Sequence, residues 1–170
     1  MLCDRILGSW HEEADRTLAE AHRLDWLDLS WEQCHRRAIH GITRKGESVR
    51  VLLRLGTILR HLDIIADTPQ RLVIINIKPI DALVVRPQSL QQAAAVALEW
   101  GNLHVPVEIS GSQIITPADG PAQAVVERHG VDAIVQRRRF HPIRISGMSW
   151  KTVLSAQPAN PLAELQPQRV

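Results

Sequence analysis

The segment running from Ala82 to Gln136 constrains this chain most, because its punctuation fixes six elements in a row. Ala82–Arg86 is a short apolar run closed by Pro87, as a buried strand would be. Ser89 is placed to cap a helix, and Gln92 three residues later has the spacing of a capping box. Leu90, Ala93, Ala94, Ala97 and Leu98 then fall on one helical face, and Gly101 supplies a left-handed residue to end it. Val105–Ile109 and Gln113–Thr116 read as a hairpin around Ser110-Gly111-Ser112. Pro121–His129 reads as a second helix, capped near Asp119 or Gly120 and stopped by Gly130, with Val131–Gln136 as a last strand. The order β-α-β-β-α-β is that of a split βαβ, the ferredoxin-like arrangement.

The part before it reads differently. Cys3–Leu7, Leu24–Leu29, Arg36–Thr43, Ile58–Ile65 and Leu72–Ile77 are short strand-like runs, with Gly46, Gly56 and Thr68-Pro69-Gln70 as turns. Val49, Val51 and Leu53 alternate with Arg50, Leu52 and Arg54, as a half-buried strand requires. A helical stretch around Glu12–Ala21 interrupts these runs. The expected class is α+β: a β-rich N-terminal domain over 1–80, suited to partner binding, a ferredoxin-like domain over 81–141, and a flexible tail over 142–170 rich in Pro and Gln.

Composition removes several functions. Apolar residues make up 45% of the 170, enough for a core. Aromatics are 4%, and strand Gln113–Thr116 has none, so a base-stacking module of this topology is not expected. The net charge of +2 gives no concentrated patch for a phosphate backbone. Cys3 and Cys34 form no C-x-x-C pair and read as reduced, packed thiols. No apolar run is long enough to span a bilayer, and the start carries no signal-peptide core, so a cytoplasmic protein without membrane or nucleic-acid partners is expected. Nucleophile elbows, phosphate loops and zinc-protease motifs are missing from the sequence, so it reads as a non-enzyme.

Eight histidines remain. His35 and His40 are expected on one strand with opposite faces; His11 and His22 at the surface; His61 in a turn. His129 continues the stripe Ala122, Val125, Val126 and is expected to be packed and hydrogen-bonded. His141 follows Phe140 where order is expected to fade. His104 differs, because Gly101-Asn102-Leu103-His104-Val105-Pro106 mounts it on a stiff corner between helix and strand. Neutral imidazole suits nickel, copper and zinc, and a two-fold dimer would present a second copy of the same side chain. Arg137-Arg138-Arg139 reads either as a docking patch for an acidic partner or as charge protecting a sheet edge.

Gly101–Pro106 resembles the G-N-x-H-x-P motif of the UreE family of urease accessory metallochaperones. Trp31-Glu32-Gln33-Cys34-His35-Arg36-Arg37 is similar to its aromatic-E-Q-R-Q-K-S stretch, with Cys34 in place of an arginine. Leu55–Asp63 resembles R-G-T-x-L-R-D-G-D, departing at Leu55, His61 and Leu62, and Phe140-His141-Pro142 is similar to an F-x-P element. The resemblance implies a homodimer in which His104 of each subunit binds one nickel ion, passed to the urease apoprotein through an accessory complex containing a GTPase. Zinc or copper could occupy the same donors in vitro. Two imidazoles fill only part of a coordination sphere, so water or His141 is expected to complete it. No histidine follows His141, and Pro117-Ala118-Asp119-Gly120 stands where several family members carry histidines, so one ion per dimer is expected. The alternatives are a metal-independent assembly factor and a small-molecule regulatory domain of the same topology.

Overall fold

A computed structural model describes residues 1–10 and 22–143. His11, the expected helical stretch before His22, and the tail beyond Ile143 lie outside the described residues.

Two small sheets build the N-terminal part. One has the order β1 (Leu2–Cys3), β5 (Ser48–Leu52), β4 (Ala38–Ile42). The other has the order β2 (Gly8–Ser9), β6 (Asp63–Thr68), β7 (Arg71–Ile77), β3 (Leu24–Leu29), with β3 parallel to β7. The alternation at 49–54 works as expected: Val49, Val51 and Leu53 are buried while Arg50, Leu52 and Arg54 face out.

Two local expectations fail here. Arg36–Thr43 is not one strand reaching back to His35. A one-turn helix α1 (Trp31–Cys34) comes first, held by a complete capping box between Ser30 and Gln33, and His35 is its C-cap. His35 and His40 therefore share no strand. Ile58–Ile65 is a loop as far as Leu62, and pairing starts only at Asp63. Leu59 is pinned inward by its N–H to the Cys34 carbonyl, and Leu62 adopts φ 72°, which no strand accommodates.

The C-terminal part follows β8 (Ile80–Val85), α2 (Leu90–Asn102), β9 (Glu108–Ser110), β10 (Gln113–Pro117), α3 (Gly120–His129) and β11 (Ala133–Arg138). Its sheet order β11-β8-β10-β9, with antiparallel neighbours throughout, is the ferredoxin-like order. Asp119 caps α3 and Gly130 closes it at φ 56°. The hairpin turns at Gly111.

Both faces of this sheet are covered along its middle strands. Leu83, Val85 and Ile114 pack with Val96, Trp100, Val125 and Val126 of the helices. Ala82, Val84 and Ile115 join the core of the N-terminal strands, together with Phe140. That is why 82–85 reads as a continuous apolar run rather than an alternating one. No helix among the described residues is long and apolar enough to cross a membrane.

The expected apolar face of α2 divides in two. Ala93, Val96, Ala97 and Trp100 face the core, while Leu90, Ala94 and Leu98 form a second stripe in solvent, with Leu90 86% and Leu98 67% exposed. Ser89 caps the helix through the Gln92 N–H, but the Gln92 side chain accepts from the Gln88 N–H, so the reciprocal half of the expected box is not made.

Candidate metal-binding corner and interdomain cleft

His104 ends α2, and the backbone there differs from the expectation in an informative way. Gly101 stays within the helix; the left-handed residue is His104 itself, at φ 56°. The His104 N–H donates to the Gly101 carbonyl (3.1 Å) and the Val105 N–H to the Trp100 carbonyl (2.9 Å). These two bonds, with Leu103 as C-cap, are a Schellman motif in which histidine holds the place glycine usually takes. Val105 and Trp100 also lie in one apolar cluster, the contact that accompanies this motif. Trp100 is fully buried and its Nε1 donates to the Ala122 carbonyl of α3 (3.2 Å). The imidazole thus leaves an anchored backbone, and its residue is exposed beside exposed Leu103. A left-handed conformation costs an L-residue about 1–2 kcal/mol, so the corner holds strain where a ligand-bearing side chain stands.

His141 sits in a different place. Phe140 is buried and meets Trp31 edge-to-face, with centroids 5.2 Å apart and planes at 89°. His141 lines a cleft of about 620 Å³ between the two halves, alongside His35, Arg60 and His61, and His104 is not among its lining residues. Order does not fade at His141: its N–H donates to Glu108 Oε2 (2.7 Å), Pro142 is buried, and the Ile143 N–H donates to the Val107 carbonyl (2.7 Å). Burial holds the His141 imidazole below the usual histidine pKa, helped by the positive charges of Arg138, Arg139 and Arg60 and opposed by Glu108.

Glu108 is the residue that sequence reading missed. It is buried, and its other oxygen accepts from Arg138 Nη2 at 2.6 Å. A buried carboxylate is tolerable only when paired in this way. The three consecutive arginines all have partners within the chain: Arg137 with Asp81, Arg138 with Glu108, and Arg139 with the Ile77 carbonyl and Asn76. They fasten β11 and the strap after it to the body of the protein.

The remaining candidates are structural. His129 Nε2 is 2.8 Å from Glu99 Oε1, tying α3 to α2 as expected of a packed histidine. His40 Nε2 is 3.1 Å from Ser48 Oγ. Both cysteines are buried and free; burial, with Asp63 and Glu32 nearby, pushes the Cys34 thiol up to about 12, so it is protonated near neutrality. Among the described residues, no group of three or more His, Cys, Asp or Glu side chains is arranged to hold a metal ion within one chain.

Two family models together match most of the chain. Residues 3–78 match the N-terminal domain model of the UreE urease accessory proteins, and residues 80–152 match the C-terminal domain model of the same family. The urease accessory protein UreE of Lysinibacillus sphaericus is 26% identical over 150 residues, covering 88% of this chain and 99% of the relative. Its counterpart in Flavobacterium johnsoniae is 31% identical over 99 residues, 58% of this chain and 60% of the relative. That of Haemophilus influenzae is 32% identical over 121 residues, 71% of this chain and 65% of the relative. On these matches the chain belongs to the UreE family of urease accessory proteins.

Proposed function

We propose that this protein is a homodimeric nickel carrier, in which His104 from each protomer binds one Ni(II) that is handed to the urease apoprotein through a GTPase-containing accessory complex. The observation that carries this reading is the corner at His104: an exposed imidazole on an anchored Schellman turn, at the end of a helix whose second apolar stripe is left in solvent. Pairing two copies of α2 about a two-fold axis would cover Leu90, Ala94 and Leu98 and bring the two corners together, since such interfaces use the same patch twice. Two imidazoles leave coordination positions for water, or for His141 should pairing bring it to the axis, and a partner can displace weak donors in turn. A closed cage of protein ligands would hold the ion against transfer. The carrier role itself needs no catalytic group.

Calorimetric titration of the purified protein with nickel tests this. Half an ion per chain is expected, lost in His104→Ala and retained in His141→Ala if water completes the sphere. Unchanged nickel binding in His104→Ala overturns the reading. If His104→Ala instead supports urease activation as well as the native chain does, the protein is an assembly factor that works without metal.

A further inference from the structure

The sheet β1-β5-β4 has one face on the core and one face turned outward. Cys3, Ile39, Val49 and Val51 point inward and are buried. The register sets the residues of the other face side by side: Leu2 and His40 flank Arg50, Ala38 lies beside Leu52, and Ile42 lies beside Ser48. An antiparallel sheet that meets water on one side usually carries polar residues there. Here Leu2 is 71%, Ile42 67% and Leu52 48% exposed. The platform beneath them is close-packed. A Cβ at Gly41 would stand 2.8 Å from Leu27 Cδ1, so β4 lies directly on β3.

The charge on this face is mainly of one sign. β1, β4 and β5 contain no Asp or Glu. Arg50 stands in the middle strand, and exposed Arg36 and Arg54 stand at the end where the Leu53 N–H donates to the Arg37 carbonyl. Among the described residues none of these three guanidiniums makes an ion pair. Of the carboxylates that flank the strands, Glu47 is near Arg71 (3.8 Å), which leaves exposed Asp4 against three arginines. The run Arg137-Arg138-Arg139 is the opposite case, since all of its side chains have partners within the chain. Arginine is enriched at the centre of protein interfaces, where its planar fork pairs with carboxylates. A single-stranded nucleic acid would call for stacking aromatics, and a membrane for a contiguous apolar surface. Leucine and isoleucine interleaved with unpaired arginine suit the acidic, partly apolar surface of a folded protein.

We propose that the outer face of β1-β5-β4 docks an acidic, apolar-centred surface of the urease-assembly complex, with carboxylates meeting Arg36, Arg50 and Arg54 and apolar side chains covering Leu2, Ile42 and Leu52. This rests on the reading that the chain delivers to such a complex, and it assigns the surface by which the chain is held there. Holding and metal release then use different parts of the chain, so the corner at His104 can exchange ligands while the complex stays docked.

The test measures binding of the full metal-free chain to the purified complex of urease apoprotein and its accessory GTPase by biolayer interferometry. Vesicles of equal parts phosphatidylserine and phosphatidylcholine, and single-stranded poly(U), serve as further probes. Arg50→Glu and Leu52→Asp are each expected to weaken docking at least about tenfold, as replacement of a central interface residue by a like charge does. Arg50→Gln is expected to weaken it less. Added salt is expected to weaken docking of the native chain more steeply than that of Arg50→Gln. Both positions are exposed, so the urea midpoints of the variants are expected to match the native chain. Arg50→Glu is expected to bind nickel as the native chain does, and metal-free His104→Ala to dock as the native chain does, so failure here and failure of the nickel reading are separable. Native-strength docking by both Arg50→Glu and Leu52→Asp would overturn the proposal, as would no docking by the native chain. So would tight binding of the vesicles or the RNA that these variants abolish while the complex stays bound.

Discussion

The corner that carries His104 and the strap that carries His141 hold the same side chain in opposite ways. At the corner the backbone is fixed and the side chain is left alone: Trp100 is buried, two cap bonds set the turn, and the residue is exposed. On the strap the surroundings hold the residue: Glu108 takes its N–H, Phe140 before it and Pro142 after it are buried, and three arginines set the local charge. A donor that must release its ion to a partner needs the first arrangement. A group that shapes a permanent cleft needs the second. Both residues are exposed and both have their backbone N–H groups engaged, so the difference between them lies in what surrounds each imidazole, not in the residue type.

The largest effect is expected where the proposed metal site needs a second copy of the corner. Leu98→Glu places a carboxylate in the exposed stripe of α2, where a two-fold pair would set it against its own copy. On the proposed pairing, light scattering is expected to show a dimer for the native chain and a monomer for the variant at the same concentration, with the fold unchanged and nickel binding weakened. A dimer that survives Leu98→Glu would mean that the two corners do not meet through this stripe.

The strap is broken next. Phe140→Ala removes a fully buried ring that bridges Trp31 and the C-terminal sheet, and is expected to destabilise by about 3–5 kcal/mol. Urea unfolding would read this. Nickel stoichiometry at His104 is expected to hold wherever the variant remains folded, because the corner is anchored by Trp100 and α3 instead.

Much of this contrast was legible in the sequence only on one side. Caps and turns are local, so Asp119, Gly130 and Gly111 mark their elements correctly. His104 was likewise findable as a residue on a stiff joint. Glycine takes the left-handed conformation most easily, so the sequence points to Gly101 for it, yet the helix runs on until Trp100 has reached the core, and His104 takes the turn. The cleft was not legible, because it assembles 31–35, 56–61 and 140–142 from three separated stretches. Glu108 was invisible for the same reason: its partners, Arg138 and His141, lie far along the chain. The two stripes of α2 looked like one face, since Leu and Ala at neighbouring helical positions cannot be sorted without knowing where the sheet lies.

A smaller perturbation of the strap is Glu108→Gln. It keeps an acceptor for the His141 N–H but removes the charge facing Arg138, and is expected to cost about 1.5–3 kcal/mol. The same variant shifts the His141 titration. That imidazole is held below its usual value in the folded chain, so as the pH falls the unfolded chain takes up this proton first. Its contribution to stability is present above the unfolded pKa and is lost as the pH falls through the folded one. Glu108 pulls the folded value upward, so Glu108→Gln is expected to lower it further and widen that window toward acid. Proton NMR of the imidazole reads both values, and an upward shift in the variant would contradict the assigned surroundings.

The smallest effect sharpens the corner most. In His104→Gly the left-handed backbone loses its Cβ conflict, worth about 1–2 kcal/mol, against a greater loss of chain entropy on folding of roughly 0.5–1 kcal/mol. The net expectation is a gain in stability of up to about 1.5 kcal/mol together with the loss of nickel binding. His104→Ala separates the two causes, because it removes the imidazole and keeps the strained backbone. Its unfolding midpoint in urea should match the native chain while that of His104→Gly lies higher. A native protein that retains histidine at a position where glycine is more stable is keeping the side chain for something other than folding. If His104→Gly unfolds earlier than His104→Ala, the turn is not strained and that reason for assigning the corner a ligand role disappears.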